Sequence, residues 1–188
     1  GVSGIEYMLK SIRRSAIDIY MMVPSCVPSV EFEDNGAILD ADTLKVFINE
    51  KEVLGLGEVM DVASVVNTDE SMIKKLVLFK GRAIDGHCPQ ISNTYLNAYT
   101  YSGVGTDHEC LTSNQALEEI RRGMYVMLRE GSSAKDIKRL IGAVDDGNFH
   151  RFLFCTDDKE INDIEREGSI DHNIRVAIKC GINPIRAI

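Results

Sequence analysis

Residues 151–158 read RFLFCTDD, a run of strand character that ends directly in two adjacent carboxylates, Asp157 and Asp158. A short and nearly continuous apolar run suits a parallel strand covered on both faces, where hydrophobic alternation is lost. Acids at the end of such a strand are either a surface turn or part of a site. The same arrangement recurs along the chain, in DIYMMVP (18–24), VLGLGEVM (53–60), RAIDGH (82–87), GVGTDH (103–108) and MYVMLRE (124–130).

The intervening stretches read as helices. Ile5, Met8, Leu9 and Ile12 recur at helical spacing, as do Met72, Ile73, Leu76 and Phe79. Thr112 followed by Gln115 reads as a capping box opening QALEEIRRG, with Gly123 as its stop. Asp40 or Asp42 is placed to cap the helix over TLKVFINE, and Ser132 or Ser133 of REGSSAK to cap another. The Gly-Ser backbone of REGSSAK could also receive an anion. Repeated strand–helix units imply parallel pairing with right-handed crossovers, so the fold class is α/β with about six βα units. These could form an open doubly wound sheet or part of a (β/α)8 barrel, which runs to about 250 residues. A GxGxxG or Walker loop would favour the open sheet, and neither occurs.

The 188 residues are 44% hydrophobic and 27% charged, enough apolar material for one sizeable core, and no linker or repeat marks a boundary. A single domain is expected. The formal net charge of −8, without a Lys/Arg cluster, argues against a nucleic-acid partner. No apolar run approaches the ~20 residues needed to cross a bilayer, and the N-terminal stretch carries no secretory signature, so the expected location is cytoplasmic with no membrane partner. Five cysteines without a CxxC pair argue against a disulfide framework or a cysteine zinc site. The chain starts on Gly1, and Pro184 near its end reads as a helix opening, so a piece of something longer is expected.

The polar residues fall at strand ends: Glu58 at the second, Asp85 and His87 at the third, Asp107 and His108 at the fourth, Arg129 and Glu130 at the fifth, Asp157 and Asp158 at the sixth. In a barrel the C-terminal strand ends share one mouth. Imidazoles and carboxylates meeting there suit a divalent metal such as zinc, iron or manganese, which supplies hydroxide at neutral pH while a neighbouring Asp takes the proton. Each residue also has a plainer reading: Glu58 as a partnered strand-end acid, His87 and His108 as hydrogen-bonded structural histidines, Asp85 and Asp107 as turn acids or partners of ligands, and Asp157 and Asp158 as helix caps. Cys88, Cys110 and Cys155 read as small packing residues, and His150 and His172 as structural or exposed.

GLGEVM, DGHCP, LNAY, TDHE, GMYVMLREGSSAK and FCTDD, in that order, resemble the bacterial and archaeal adenine deaminases of the amidohydrolase superfamily. PSCVPSVEFEDNGA and EGSIDHNIRVAI are similar to further segments of that family, so the resemblance covers the whole chain. It implies a partial (β/α)8 barrel, strands three to eight, and hydrolysis of adenine to hypoxanthine and ammonia. It further implies a binuclear site of manganese or iron, in which Glu58 bridges or ligates, His87 and His108 ligate, and Asp157 both binds metal and shuttles the proton. Arg129, Glu130 and Asp158 would stand near the substrate. In the implied reaction an activated water adds to C6 of adenine, and Asp157 passes its proton to the departing amine. A homo-oligomer is expected.

The chain departs from the pattern in several places. The superfamily's HxH pair and the DPHE segment are absent, so one metal position at best keeps its set and the chain alone is expected to be weakly active or inactive. Ser169 stands for the family's His of EGHID, DGHCPQISN lacks the glycines expected after its Pro, and DVASVV lacks a Pro-Gly turn. These loops bear on substrate identity, leaving a different aminopurine or a cyclic amide as alternative substrates. A non-catalytic truncated module is the alternative of another class.

Overall fold

Each of the six apolar runs forms a strand, shorter than the run itself, in the structure, a computed structural model that describes residues 1–29 and 32–188. Val30 and Glu31, inside the PSCVPSVEFEDNGA segment, lie outside the described residues. The chain divides into two compact units, Gly1–His87 with Thr94–Gly105, and Cys88–Asn93 with Thr106–Ile188. Strand–helix alternation holds throughout, so the class is the expected α/β.

In the first unit, α1 (Val2–Ile12) precedes β1 (Met21–Pro24), α2 (Ala41–Leu44), β2 (Val53–Val59), α3 (Val62–Val66), α4 (Glu70–Leu78), β3 (Ala83–Gly86) and α5 (Asn93–Tyr101), the last belonging here from Thr94 onward. Strands β1, β2 and β3 pair in parallel, with Val23 beside Leu56 and Leu56 beside Ile84. A methyl group on Gly55 would lie 1.8 Å from the Ala83 carbonyl oxygen, so only glycine allows this approach of β2 to β3. Ile5, Leu9 and Ile12 are the buried stripe of α1, whereas Met8, expected on that face, is 49% exposed because the i, i+4, i+7 row alone meets the core. Met72, Leu76 and Phe79 bury the face of α4 and its cap as the spacing requires, whereas Ile73 is only half-buried. Of the two acids considered as cap for α2, Asp40 serves, accepting from Thr43 N at 2.8 Å.

The second unit contains β4 (Thr106–Asp107), α6 (Ser113–Arg121), β5 (Tyr125–Arg129), α7 (Ile137–Leu140), β6 (Phe152–Cys155), α8 (Ile161–Glu167), α9 (Ile170–Lys179) and α10 (Pro184–Ala187). Parallel pairing sets Asp107 beside Val126 and Arg129 beside Cys155. Val126 and Leu128 pack with Ala116, Ile137, Leu140, Val176 and Ala177. Phe152 and Phe154 lean on that core while Leu153 is 43% exposed, so within its unit β6 is covered on one face rather than the expected two.

Half of the Thr112–Gln115 capping box forms: Thr112 Oγ1 accepts from Gln115 N at 3.2 Å, but Gln115 Oε1 accepts from the N–H of Leu111, one residue before the cap, at 3.0 Å. Gly123 ends the helix with φ +90°. Ser132 and Ser133 do not cap a helix. α7 starts only at Ile137, behind Asp136, because the turn that carries the serines is occupied by a carboxylate described below.

Candidate metal centre

In the first unit the residue pair of interest is Glu58, the second-to-last residue of β2, and His87, immediately after β3. His87 Nδ1 lies 3.5 Å from Glu58 Oε2, and both side chains are about one-third exposed, at 33% and 37%. The strand ends that carry them are tied together by Tyr99 of α5, a fully buried ring whose hydroxyl donates to Val59 O at 2.5 Å and accepts from His87 N at 3.1 Å. Tyr99 lay within the LNAY motif, but a tyrosine at a buried helical position reads from sequence as core. Its polar tip was the available signal, since a buried tyrosine hydroxyl usually finds partners.

In the second unit, His108, Glu109 and Asp157 bring one ligand atom each within 4.8 Å of one another. His108 is buried, and its Nε2 stands 3.9 Å from Glu109 Oε1. Asp157 sits just beyond β6 at φ +49°, a left-handed conformation that strains a side-chain-bearing residue and recurs at functional sites. Arg129, at the end of β5 and 6% exposed, binds three carboxylates: Asp157 Oδ2 at 2.8 Å, Asp136 Oδ2 at 3.0 Å and Glu109. Burial alone would lower its pKa, but the bonds to Glu109 and Asp157 prevail and raise it, so the guanidinium stays charged. Glu109 was missed from sequence, although it directly follows His108.

Asp158 turns away from this group. Its oxygens accept from Ser132 N at 3.1 Å and Ser133 N at 2.8 Å, filling the Gly-Ser turn with an anion from the same chain. Burial would raise its pKa, yet the N–H groups of Ser133 and Ser132 outweigh that and hold it below the usual value. Gly131 makes the seat possible, since a methyl there would lie 1.7 Å from Asp158 Oδ1. Glu130 is buried with Oε2 lacking a hydrogen-bond partner among the described residues. His172 lies on α9, 3.9 Å from Glu167, and His150 in the turn before β6.

A further buried cluster supports the backbone after β4. Asp107 Oδ1 accepts from Cys88 N at 2.6 Å, and Oδ2 from Glu109 N at 2.9 Å. Glu119 of α6, fully buried, accepts from Cys110 Sγ at 3.1 Å and from Gln115 Nε2 at 3.2 Å, and brings a carboxyl oxygen within 4.8 Å of one from Asp107. Burial, followed by the charge of Asp107, pushes Glu119 up to about 8, so it carries a proton at neutral pH. Burial also pushes the Asp107 carboxyl upward, against the two N–H groups that favour its charge. The Cys88 and Cys110 thiols are raised by burial and by these acids, so they are neutral packing groups.

Donor atoms around one divalent ion, each at about 2.0–2.2 Å, stand roughly 3–4.4 Å apart. Glu58 and His87 fall in that range, and the His108, Glu109 and Asp157 donors need only small shifts to reach it. Imidazole nitrogen with carboxylate oxygen is a donor set for first-row metals.

The parallel strands present imidazoles and acids at their C-terminal ends, donors of the kind that could hold a divalent metal. Residues 1–188 match the Amidohydrolase family throughout, and the chain belongs to that family, which is hydrolytic and generally metal-dependent. Its six βα units are those of a partial (β/α)8 barrel. The chain is 50% identical over 190 residues to an adenine deaminase of Geobacillus kaustophilus (strain HTA426), and 46% over 190 residues to one of Desulfitobacterium hafniense (strain Y51). It is 47% identical over 189 residues to an adenine deaminase of Bacillus subtilis (strain 168). Each similarity covers 100% of this chain and 33% of the relative, so the chain spans about a third of the length of the curated relatives it matches. Among the described residues no helix is long and apolar enough to cross a membrane.

Proposed function

We propose that this chain forms the metal-binding part of an adenine deaminase, which hydrolyses adenine to hypoxanthine and ammonia. The observation that carries the reading is identity of 46–50%, sustained over the whole chain, to proteins named adenine deaminase. Glu58, His87, His108 and Asp157 are the proposed ligands, and manganese or iron the proposed metal. Nitrogen and carboxylate donors at the ends of successive parallel strands support that set. The resemblance likewise supports a setting in cytoplasmic purine metabolism.

A divalent cation held by these residues would supply Lewis-acid polarisation and make water acidic enough to attack near neutral pH. The remaining work falls to side chains. Asp157 accepts the proton of the attacking water and returns it to the departing amine, so that ammonia rather than an amide anion leaves. Arg129 holds one oxygen of Asp157 in place. Glu58 contributes negative charge beside the imidazole of His87. Asp158 is assigned to ordering the 131–133 turn that borders the substrate region. Glu130, buried at the end of β5, is assigned to that same border.

The test is ammonia release from adenine by the native-length protein loaded with manganese or iron(II), with metal counted in the same sample. Turnover on adenine that disappears in Asp157→Ala is the expected result. Preference for another aminopurine or a cyclic amide would overturn the substrate, and unaltered turnover in Asp157→Ala would overturn the role of that residue.

A further inference from the structure

Helix α6 carries an acid where an amphipathic helix should carry an apolar residue. Glu119 lies three positions after Ala116, and both are fully buried. A carboxyl group in such a place must give up its water, so its retention needs a reason beyond packing. Among the described residues, the hydrogen bonds of Glu119 go to side chains other than the proposed ligands. Its partners are Gln115, Cys110 and Asp107.

Asp107 in turn grips two backbone N–H groups, those of Cys88 and Glu109. Cys88 is the residue after His87, and Glu109 the residue after His108. Gln115 strengthens the same connection: its Nε2 donates to both Glu119 Oε1, at 3.2 Å, and Cys88 O, at 3.3 Å. Glu119 thus stands within 4.8 Å of the carboxyl group that fixes both turns, and shares Gln115 with the backbone of one of them.

We propose that Glu119 is a positioning residue, which acts through Asp107 to hold the backbone immediately after each of the two histidines assigned as metal ligands. The inference rests on the ligand assignment proposed above. Loss of an outer partner of this kind lowers metal affinity by roughly tenfold to a hundredfold. Glutamine can replace the neutral acid, because it retains an N–H donor of similar reach, whereas leucine fills the space without donating.

Cobalt(II) binding to the native-length protein, followed by its visible spectrum, reads the effect, with amide hydrogen exchange at Cys88 and Glu109 in the metal-free state as a second readout. Glu119→Gln should keep the affinity, the spectrum and the protection of both amides. Glu119→Leu should bind cobalt roughly tenfold or more weakly, with a shifted spectrum and faster exchange at those amides. A role confined to packing would lower the melting temperature of Glu119→Leu while leaving cobalt binding and both amides unchanged, and that result overturns the proposal. If Glu119→Leu does not fold, Asp107→Asn, which withdraws one acceptor oxygen at constant shape, must show the same weakening, and unaltered binding there overturns the proposal equally. A native protein that takes up no cobalt overturns the ligand assignment and the positioning role together. That outcome differs from failure of this inference alone, in which native protein and Glu119→Leu bind cobalt equally.

Discussion

Single side chains join the strand ends of this protein, and their removal has calculable consequences. Tyr99→Phe leaves the ring in place but strips the hydroxyl from Val59 O and His87 N, two buried or partly buried backbone groups. Leaving such groups unmatched costs about 1–3 kcal/mol, so urea denaturation should show a loss of that order with little change in the m value. Glu119 gives a pH signature. Its folded pKa, about 8, stands above the ordinary value of 4.5, so the folded state holds the proton more tightly than the unfolded one. The resulting stabilisation is complete below pH 4.5 and is lost as pH rises towards 8, because the chain must then either ionise a buried acid or retain a proton that the unfolded state gives up. The groups facing it are Asp107, Cys110 and Gln115, and only Asp107 adds to the slope, with the same sign. Glu119→Gln should therefore flatten the fall in stability across this range, measured as melting temperature against pH; an undiminished slope would assign it to other groups.

At the scale of elements, the six strands were legible because each apolar run is short and bounded, and the residues proposed as ligands drew notice because they close those runs. Strand lengths were overestimated: polar and glycine residues at the run ends, such as Gly103 with φ +102°, belong to turns rather than to the ladder. Of the two readings of Gly131-Ser132-Ser133, the helix cap fails and the anion seat holds, but the anion is Asp158, a pairing between distant parts of the chain that local spacing cannot reveal. Glu119 was hidden for a related reason: in LEEIRRG one acid looks as solvent-facing as the next, and only packing tells Glu118, which pairs with Arg121 and Arg122, from Glu119, which does not see water. The β2–β3 pair makes the sharpest element-level test. Gly55→Ala places a methyl group against backbone at Ala83, which no side-chain rotation can relieve. Overpacking of this kind costs about 1–3 kcal/mol or more. Gly4→Ala, in α1 with open space around it, is the control and should be neutral or slightly stabilising. Comparable melting temperatures for the two variants would refute the close approach.

For the molecule as a whole, the question is what 188 residues can do where the matched relatives are about three times as long. Among the described residues β1 pairs only with β2, and β6 only with β5, so each unit has a strand with one row of backbone N–H and C=O groups outside any ladder. Such edges recruit other strands. The family's HxH pair, which the resemblance assigns to the second metal position, does not occur in these residues, and the chain has only four histidines in all. Both arguments lead to the same expectation for the 188-residue chain expressed alone: it should bind at most one manganese or iron per chain, release little or no ammonia from adenine, and associate with rising concentration in sedimentation velocity. Adding the remaining polypeptide of a matching adenine deaminase in trans should restore turnover and suppress self-association together, because the same strands would then find their partner and the same cation its missing ligands. Full turnover by the 188-residue chain alone would show that Glu58, His87, His108 and Asp157 suffice. A monomer that regains turnover in trans would instead separate the two effects, locating the deficit in ligands and not in open strand edges.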